Sequence, residues 1–233
     1  GTEYTILSFL HDETGSGYVS FTVDELEWAQ TNNGTFYVEM LGQDYTGAVY
    51  HNAVDVYIGP CGKVDIRFML QGPYNVQSGL MNTTLNSLDV IPTDQPYNTT
   101  PWSYTGTEQV VTLPDSIVDW VLIELRDKND NTQVIETRAG LLSKSGIVMD
   151  TDFTRGIYFS NAESFDDFYI AVWHRNHLPV MSANLKECPN LGDVYDFVTG
   201  QGQAYGTDAM KELEPGVFGL FAGDANGNGT IQN

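Results

Sequence analysis

Cysteine is scarce in this sequence, which has two among 233 residues. Cys61 and Cys188 are far apart and match neither a CxxC metal pattern nor a cysteine–histidine nucleophile pattern. In an oxidising compartment they can pair as a disulfide, which would stabilise the fold by closing a long loop. Two separate buried thiols fit the sequence equally well, so both alternatives stay open.

Basic residues are also few. Ten Lys and Arg stand against 31 Asp and Glu, a formal net charge of −21, which repels phosphate backbones and anionic lipid heads. Residues 1–62 contain nine acidic side chains and no Lys or Arg. We therefore expect no nucleic-acid partner. The acidic surface suits divalent cations or a saline exterior, or simply keeps the protein soluble.

Long hydrophobic runs are missing as well. No apolar run approaches the roughly 18 to 20 residues of a membrane span, so we expect no membrane insertion. The chain is rich instead in aromatic residues, with 13 Tyr, 11 Phe and 4 Trp, and in the turn formers Gly (23) and Pro (9). This composition favours short strands joined by tight turns over long helices.

We predict an all-β fold of antiparallel β-sandwich units, immunoglobulin-like or jelly-roll-like, with long ordered loops and little helix. A change of composition around residues 59–62 separates an N-terminal β region, residues 1–60, from a main sandwich module, residues 61–222. The first region is a preceding sandwich or a set of assembly strands. Residues 223–233 form a truncated, calcium-loop-like tail.

Strand patterns recur along both parts of the chain. The segment SIVDWVLIELRD, residues 116–127, alternates so that Val118, Trp120 and Leu122 share one face. Val121, Ile123 and Leu125 share the other, and a strand apolar on both faces belongs in the middle of a sandwich. Further strands are predicted at EYTILSFL, GYVSFTV, GTFYVEML, AVYHNAVDVYIG, VDIRFML, QVIETRAGLL, GIVMD, IYFS, DFYIAVWHRNH and VFGLFA.

Two breaks in the strand pattern are predicted from turn and cap residues. The segment TDAMKELEPG, residues 207–216, reads as a short helix that Thr207 or Asp208 caps and Pro215-Gly216 ends. The strand that contains His177 should break at Leu178-Pro179, because proline cannot donate a ladder hydrogen bond.

The tail GDANGNGTIQN carries the strongest chemical signal. Calcium loops supply oxygen ligands from positions 1, 3, 5, 7 and 9, a bidentate acid at 12, and a glycine at 6 that makes the turn. Asp224, Asn226, Asn228 and Thr230 fall at positions 1, 3, 5 and 7, and Gly229 falls at position 6. The printed chain ends before position 12, so we expect weak Ca²⁺ binding at most, or a flexible terminus.

A long polar segment with recurring aromatics lies between the predicted strands, at residues 70–111. Its side chains Tyr97, Trp102 and Tyr104 can stack on sugar rings and form a glycan-binding platform. They can equally be hydrophobic pins that hold this loop on the sheet, which is the more common role of such residues.

The densest cluster of side chains used in catalysis is WHRNH, residues 173–177. On a continuing strand His174 and Arg175 point to opposite faces, and His174 and Asn176 share one. His174 or His177 could serve as a base and Arg175 as an oxyanion clamp. A hydrogen-bonded strand end, without catalysis, explains the same residues.

Several short motifs in a fixed order resemble a known module. They are LQGPYN, VIPTDQPYN, PWSYTGTE, IVDWVLIELRD, TRAGLL, AVWHRNHLPVMSA, AYG and GVFGLFAGDANGNG, and together they cover about residues 64–231. The order is similar to a C-terminal module of large secreted and cell-surface proteins of Bacteroidetes-type bacteria, commonly followed by a dockerin-like calcium repeat. This resemblance implies an extracellular, non-enzymatic β-rich module and the start of a calcium loop at GDANGNG.

Three functions are compatible with these observations. The first is a secreted structural or adhesive module of a bacterial surface protein, which assembles with copies of itself or with neighbouring domains, as in an extracellular filament. The second is a carbohydrate-binding accessory module of a secreted polysaccharide-degrading enzyme. The third, an enzyme, requires His174, Arg175 or His177 to line a pocket beside a carboxylate, and we expect no catalysis.

Overall fold

A computed structural model describes residues 9–11, 17–19, 34–43, 49–58, 63–160, 167–187, 194–224 and 226–231. For the four ranges that end at or before residue 58, it gives the strands and their pairing. The chain separates into two compact units, Gly1–Pro60 and Cys61–Asn233. Cys61 and Cys188, the candidate disulfide pair, lie outside the described residues.

The described residues of the first unit form two antiparallel strand pairs. Strand β1 (Phe9–His11) pairs with β2 (Gly17–Val19). The longer hairpin joins β3 (Gly34–Gln43) to β4 (Val49–Ile58), and the ten residues of each strand pair without a register shift. The aromatic and β-branched residues of GTFYVEML, which include Thr35, Phe36, Tyr37 and Val38, favour a strand here.

The second unit is built around one antiparallel sheet of six strands. Its order is β11-β10-β9-β13-β14, and β15 also pairs with β13. Strand β9 lies in the middle, as its apolar pattern predicts, and the all-β fold class is confirmed. The strands are β9 (Ile117–Asp127), β10 (Val134–Ser143), β11 (Val148–Met149), β13 (Asp167–His174), β14 (His177–Met181) and β15 (Lys186–Glu187).

Short pairs surround this sheet. Three pairs are antiparallel, β5 with β12, β7 with β8 and β17 with β18, whereas β6 and β16 are parallel. Their bounds are β5 (Lys63–Val64), β6 (Ile66–Arg67), β7 (Tyr74–Asn75), β8 (Leu80–Met81), β12 (Ile157–Tyr158), β16 (Tyr195–Asp196), β17 (Lys211–Glu214) and β18 (Val217–Gly219).

Helix is confined to single turns in the described part of the second unit. These are α1 (Thr84–Ser87) and two 3₁₀ turns, Phe197–Thr199 and Gln201–Gln203. No helix within the described ranges has the length and apolarity needed to cross a membrane.

The helix predicted at residues 207–216 is wrong, because that segment contributes strand β17 to the β17–β18 hairpin. Leu213 packs against the core from β17, as Val217 does from β18, so strand pairing and tertiary packing outweigh helix propensity here. Gly216 has φ of 80° and makes the turn, and Asp208 has φ of 51° instead of the extended conformation of an N-cap.

Two apolar cores lie on opposite faces of β9. The first core contains Val121, Ile123 and Leu125 of this strand, and the second contains Trp120 and Leu122. A strand buried on both faces needs a layer on each side, which here comes from the small strand pairs and from the long loop. The remaining members of the second core include Ile91, Tyr97, Val110, Ile117, Ala139 and Leu141.

The predicted alternation places Val118 with Trp120, and this detail is wrong. Val118 belongs to the first core, because the β9–β10 register shifts between Leu142, opposite Asp119, and Ser143, opposite Ile117. The extra residue on β9 is a β-bulge, which reverses the alternation at this point. As a result Val118 and Asp119 both line the same cavity on the first face.

The predicted break at Leu178-Pro179 is also wrong, since β14 runs through both residues. The β13–β14 register shifts between Val172 opposite Val180 and His174 opposite His177, so Leu178 and Pro179 form a bulge in β14. A bulge is one of the few places where a strand accommodates proline, because the missing N–H is not needed there.

Candidate functional site

Two neighbouring residues at the end of β13 face opposite sides of the sheet and line separate cavities. His174 lines a cavity of about 300 Å³ on the first face. Trp173 lines a cleft of about 370 Å³ on the second. The alternation of side chains along a strand accounts for this arrangement. The two sites are called here the histidine cavity and the aromatic cleft.

The histidine cavity is built around a buried polar cluster. Asp119 Oδ2 lies 3.3 Å from His174 Nε2, and Asp119 Oδ1 accepts hydrogen bonds from Arg175 Nη2 at 2.5 Å and from Trp120 N at 2.8 Å. His174 and His177 meet edge to face, with their ring centroids 4.7 Å apart. Because β13 ends at His174, Arg175 lies in the turn and reaches the same carboxylate as His174.

Hydrogen bonds to the two rings fix their tautomers. Gly72 N donates to His177 Nε2 at 3.3 Å, so the His177 proton is on Nδ1, which lies 3.0 Å from both His174 Nδ1 and Asn176 Oδ1. His174 Nδ1 is also approached by Asn176 N at 3.4 Å. His174 therefore carries its proton on Nε2, beside Asp119, although this N–H is not aligned for a hydrogen bond.

Burial sets the charge states in the cluster. Desolvation, together with the neighbouring His174, lowers the pKa of His177 to about 3, so His177 is neutral at pH 7. Burial of Asp119 opposes its ionisation, but contact with His174, the Arg175 charge and the Trp120 N–H outweigh this and hold the Asp119 pKa below its ordinary value. The cluster is an ion pair of Asp119 and Arg175 supported by neutral His177.

The arrangement meets the geometric requirement of the enzyme hypothesis. A pocket beside a carboxylate exists, and Asp119, His174 and His177 line it. The ring nitrogens of His177, however, are used by Gly72 N and by the neighbouring polar atoms. What the geometry favours is a cluster that holds together β9, the β13–β14 turn and the loop at Gly72.

The aromatic cleft combines flat rings with polar groups. Its walls include Trp102, Tyr104 and Trp173, and Glu124 and Thr137 add oxygen atoms. Trp102 and Trp173 are half-buried, and the indole Nε1 of each is shielded from solvent without a hydrogen-bond partner in the described part of the chain. Unpaired buried donors are rare in proteins and call for an explanation.

Tyr104 is held at the cleft by hydrogen bonds. Its hydroxyl donates to Glu108 Oε1 at 2.6 Å and lies 3.0 Å from the Thr137 carbonyl oxygen. Arg138 Nε donates to the same Glu108 atom at 3.0 Å. Burial, with the Glu108 carboxylate beside it, raises the pKa of Tyr104 well above its ordinary value, so the ring stays neutral.

Tyr97, the third residue of the predicted platform, does not belong to the cleft. It is fully buried in the second core, and its hydroxyl donates to the Trp120 carbonyl oxygen at 2.8 Å. It supports Trp102 from behind, edge to face, with the ring centroids 5.1 Å apart. Trp102 and Tyr104 therefore face the cleft, and Tyr97 is a pin of the loop.

The tail packs beside the cleft. Asp224 is fully buried and accepts hydrogen bonds from Asn228 N at 3.0 Å and Gly229 N at 2.9 Å. Asn226 Oδ1 accepts from Asn228 N at 3.2 Å, and Asn228 Oδ1 accepts from Thr230 N at 3.0 Å. These bonds wrap the loop around the Asp224 carboxylate.

The tail residues fit the first half of a calcium loop. Asp224, Asn226 and Asn228 present oxygen atoms at alternate positions of one tight turn, which is the donor chemistry that calcium prefers. Among the described residues, however, no three His, Cys, Asp or Glu side chains lie close enough together to hold a metal ion. The described tail therefore offers one carboxylate, that of Asp224, beside the amide oxygens of Asn226 and Asn228.

Sequence patterns missed three residues of these sites. Asp119 is the one charged residue in the apolar run IVDWVLI, and a buried charge needs a partner, so its position was a usable signal. Trp173 directly precedes His174, so strand alternation places it on the opposite face of the sheet once the face of His174 is known. Gly227 contacts Trp102 only through the tertiary fold.

Comparison with known proteins gives no match, so the chain is described by its own fold and sites. No family model, no curated protein and no solved structure matches it. The class that the geometry defines is an all-β protein whose central sheet carries a buried histidine cluster on one face and an aromatic cleft on the other.

Proposed function

We propose that the chain is a non-enzymatic structural and adhesive module of an extracellular bacterial surface protein. The resemblance of residues 64–231 to secreted surface modules supports this assignment. So does the negative charge of −21, which suits an exterior rich in salts and divalent cations. Its partners are copies of itself or neighbouring domains of the same surface protein.

The observation that carries the assembly part of this proposal is the β3–β4 hairpin. It is a regular ladder of ten residue pairs, and within the described residues neither strand pairs with a third one. A two-stranded hairpin is marginally stable alone, and a long strand edge accepts a further strand through its main-chain N–H and C=O groups. Strand addition from another molecule supplies that partner.

Self-association tests the proposal directly. Light scattering over a concentration series and negative-stain images should show assemblies that grow with concentration. Successive N–H groups on a strand point to opposite edges, so one of Val38→Pro and Glu39→Pro removes a donor from the outer edge and the other disrupts the ladder with β4. The outer-edge variant should keep its circular dichroism spectrum and lose association, whereas a native protein that stays monomeric throughout contradicts the proposal.

A second candidate function is a carbohydrate-binding accessory module of a secreted polysaccharide-degrading enzyme. The aromatic cleft favours it, because flat rings beside hydroxyl and carboxylate oxygens suit a sugar ring. A glycan array should then give a signal that Trp102→Ala abolishes. A silent array with folded protein would exclude this function and leave the assembly proposal untouched.

We also propose that the tail binds Ca²⁺ weakly, through Asp224, Asn226, Asn228 and the carbonyl oxygen of Thr230. Millimolar CaCl₂ should raise the melting temperature more than MgCl₂ at equal ionic strength, since Mg²⁺ demands a stricter octahedral site. The Asp224→Asn variant should lose this difference. Equal effects of both salts on the native protein would contradict calcium binding.

A further inference from the structure

Two of the rings that line the aromatic cleft, Trp102 and Trp173, each carry a polar indole N–H. The Nε1 atom of each ring is shielded from solvent, and neither has a hydrogen-bond partner in the parts of the chain that are described. An unpaired buried donor costs about 1 to 3 kcal/mol. A ligand oxygen that accepts a hydrogen bond from either indole N–H recovers this free energy.

We propose that the aromatic cleft binds a neutral saccharide, which stacks on Trp173 and Trp102 and accepts hydrogen bonds from their indole N–H groups. This inference rests on the second proposed function and assigns its site. The volume, about 370 Å³, lies at the lower end of the roughly 300 to 1,000 Å³ of small-molecule sites, which suits the end of a glycan chain.

The polar wall favours an uncharged sugar. Glu124 lines the cleft with its side chain 15% exposed, and its Oε2 accepts both bonds from Arg126, at 3.0 Å and 2.6 Å. Its other oxygen, Oε1, can accept a hydrogen bond from a sugar hydroxyl. An anionic sugar would meet this carboxylate in a protein of net charge −21, and a purely apolar ligand would leave both indole donors unpaired.

The tail holds one wall of the cleft in place. Gly227 has φ of 66° and lies so close to Trp102 that a Cβ at this position would be 2.7 Å from Trp102 Cζ2. On its other side Trp102 is supported by Tyr97. The Trp102 ring is thus clamped between the second core and the C-terminal loop, and the loop sets the position of a binding residue.

The chain offers a matched pair of variants for this clamp. Gly227→Ala and Gly79→Ala introduce the same strain, since their φ values are 66° and 67°, but only the first pushes on Trp102, because nothing lies within 4 Å of the Gly79 Cβ position. Trp173→Phe keeps a flat apolar ring and removes the indole donor. Its stability should change little, because the loss of ring packing is offset by removal of an unpaired group.

The test is an array of neutral and acidic oligosaccharides, followed by calorimetric titration of the native protein and the three variants with a neutral hit. We expect about 3- to 10-fold weaker binding for Trp173→Phe, as for one lost hydrogen bond, and at least as large a loss for Gly227→Ala. Gly79→Ala should bind like the native protein, and melting curves confirm that each variant is folded.

Each contrary result removes a different part of the proposal. A silent array overturns both saccharide binding and this site. A neutral hit whose affinity is the same in native protein, Trp173→Phe and Gly227→Ala overturns the assignment to the aromatic cleft, while saccharide binding stands. Hits confined to acidic sugars overturn the assignment of a neutral ligand.

Discussion

At the scale of single residues, the least expected feature is a charge in the most buried strand. Asp119 lies between apolar neighbours on β9, with its side chain 3% exposed. Arg175 and the Trp120 N–H bond to it, and His174 lies beside it. Removing one partner of such a cluster leaves the other charged groups buried without a partner, so small changes to the cluster lower the stability of the fold.

Replacing Asp119 by Asn tests this view. The change keeps the shape of the side chain but removes the charge that balances Arg175, and it should lower the free energy of unfolding by about 3 kcal/mol. Urea unfolding measures the difference. Asp152→Asn is the control, because Asp152 pairs with Lys63 with its side chain 61% exposed and should cost less than about 1 kcal/mol. Equal losses in both variants would contradict a special role for Asp119.

His177 makes stability depend on pH. Its pKa of about 3 in the fold lies below the ordinary value of 6.5, so between these values the unfolded chain binds a proton that the fold does not. Stability is therefore full above about pH 6.5 and falls as the pH decreases toward 3. Asp119 does not interfere at pH 5, since its pKa is already lowered below the ordinary 3.8.

From pH 7 to pH 5 we expect His177 to account for a loss of about 2 kcal/mol in the free energy of unfolding. His177→Gln retains an acceptor for Gly72 N and does not titrate, so its stability should fall by about 2 kcal/mol less over the same interval. Urea unfolding of both proteins at the two pH values gives the comparison. Parallel pH profiles would show that His177 does not carry the dependence.

At the scale of strands, the sequence predicts the framework well and its irregularities poorly. The apolar run of β9 is visible because burial on both faces removes polar alternation. The bulges at Val118 and at Leu178-Pro179 depend on register with β10 and β13, which no local pattern reports. For the same reason the residues of β17 appear helical in isolation, although they form a hairpin with β18.

The candidate sites are likewise predicted only in part from the sequence. Residue type predicts that Trp102 and Tyr104 contact a glycan, and both lie in the cleft, whereas Tyr97, an aromatic residue of the same loop, is buried. Residue type alone does not decide which aromatic side chain faces solvent. Trp173 reaches the cleft from a strand about 70 residues farther along the chain, so only the tertiary fold brings it to Trp102.

Close packing between β10 and its neighbours gives a prediction at this scale. A Cβ on Gly140 would lie 2.2 Å from Ile157 Cδ1 and 2.9 Å from the backbone oxygen of Met149. Gly140→Ala should therefore lower the free energy of unfolding by about 1 to 3 kcal/mol through overpacking. Gly200→Ala, where nothing lies within 4 Å, should be nearly neutral, and thermal melts compare the two. A neutral Gly140→Ala would mean that β12 moves aside.

At the scale of the whole molecule, charge is the dominant property. With −21 on 233 residues, repulsion between carboxylates opposes compaction, and added salt screens it over about 8 to 10 Å at physiological ionic strength. We expect the melting temperature to rise between 10 mM and 200 mM NaCl at pH 7. Scanning calorimetry measures this, and a melting temperature that falls with salt would show that attractive ion pairs outweigh the net repulsion.

The adjacency of Trp173 and His174 has a practical consequence. One peptide bond separates a ring in the aromatic cleft from a ring in the histidine cavity, and the strand that carries both is held between the two cores. The protein thus contains a pair of adjacent spectroscopic probes, the Trp173 indole on one face of the sheet and the His174 imidazole on the other. A ligand titration that records Trp173 fluorescence and the His174 NMR signal in one sample therefore shows which face of the sheet the ligand affects.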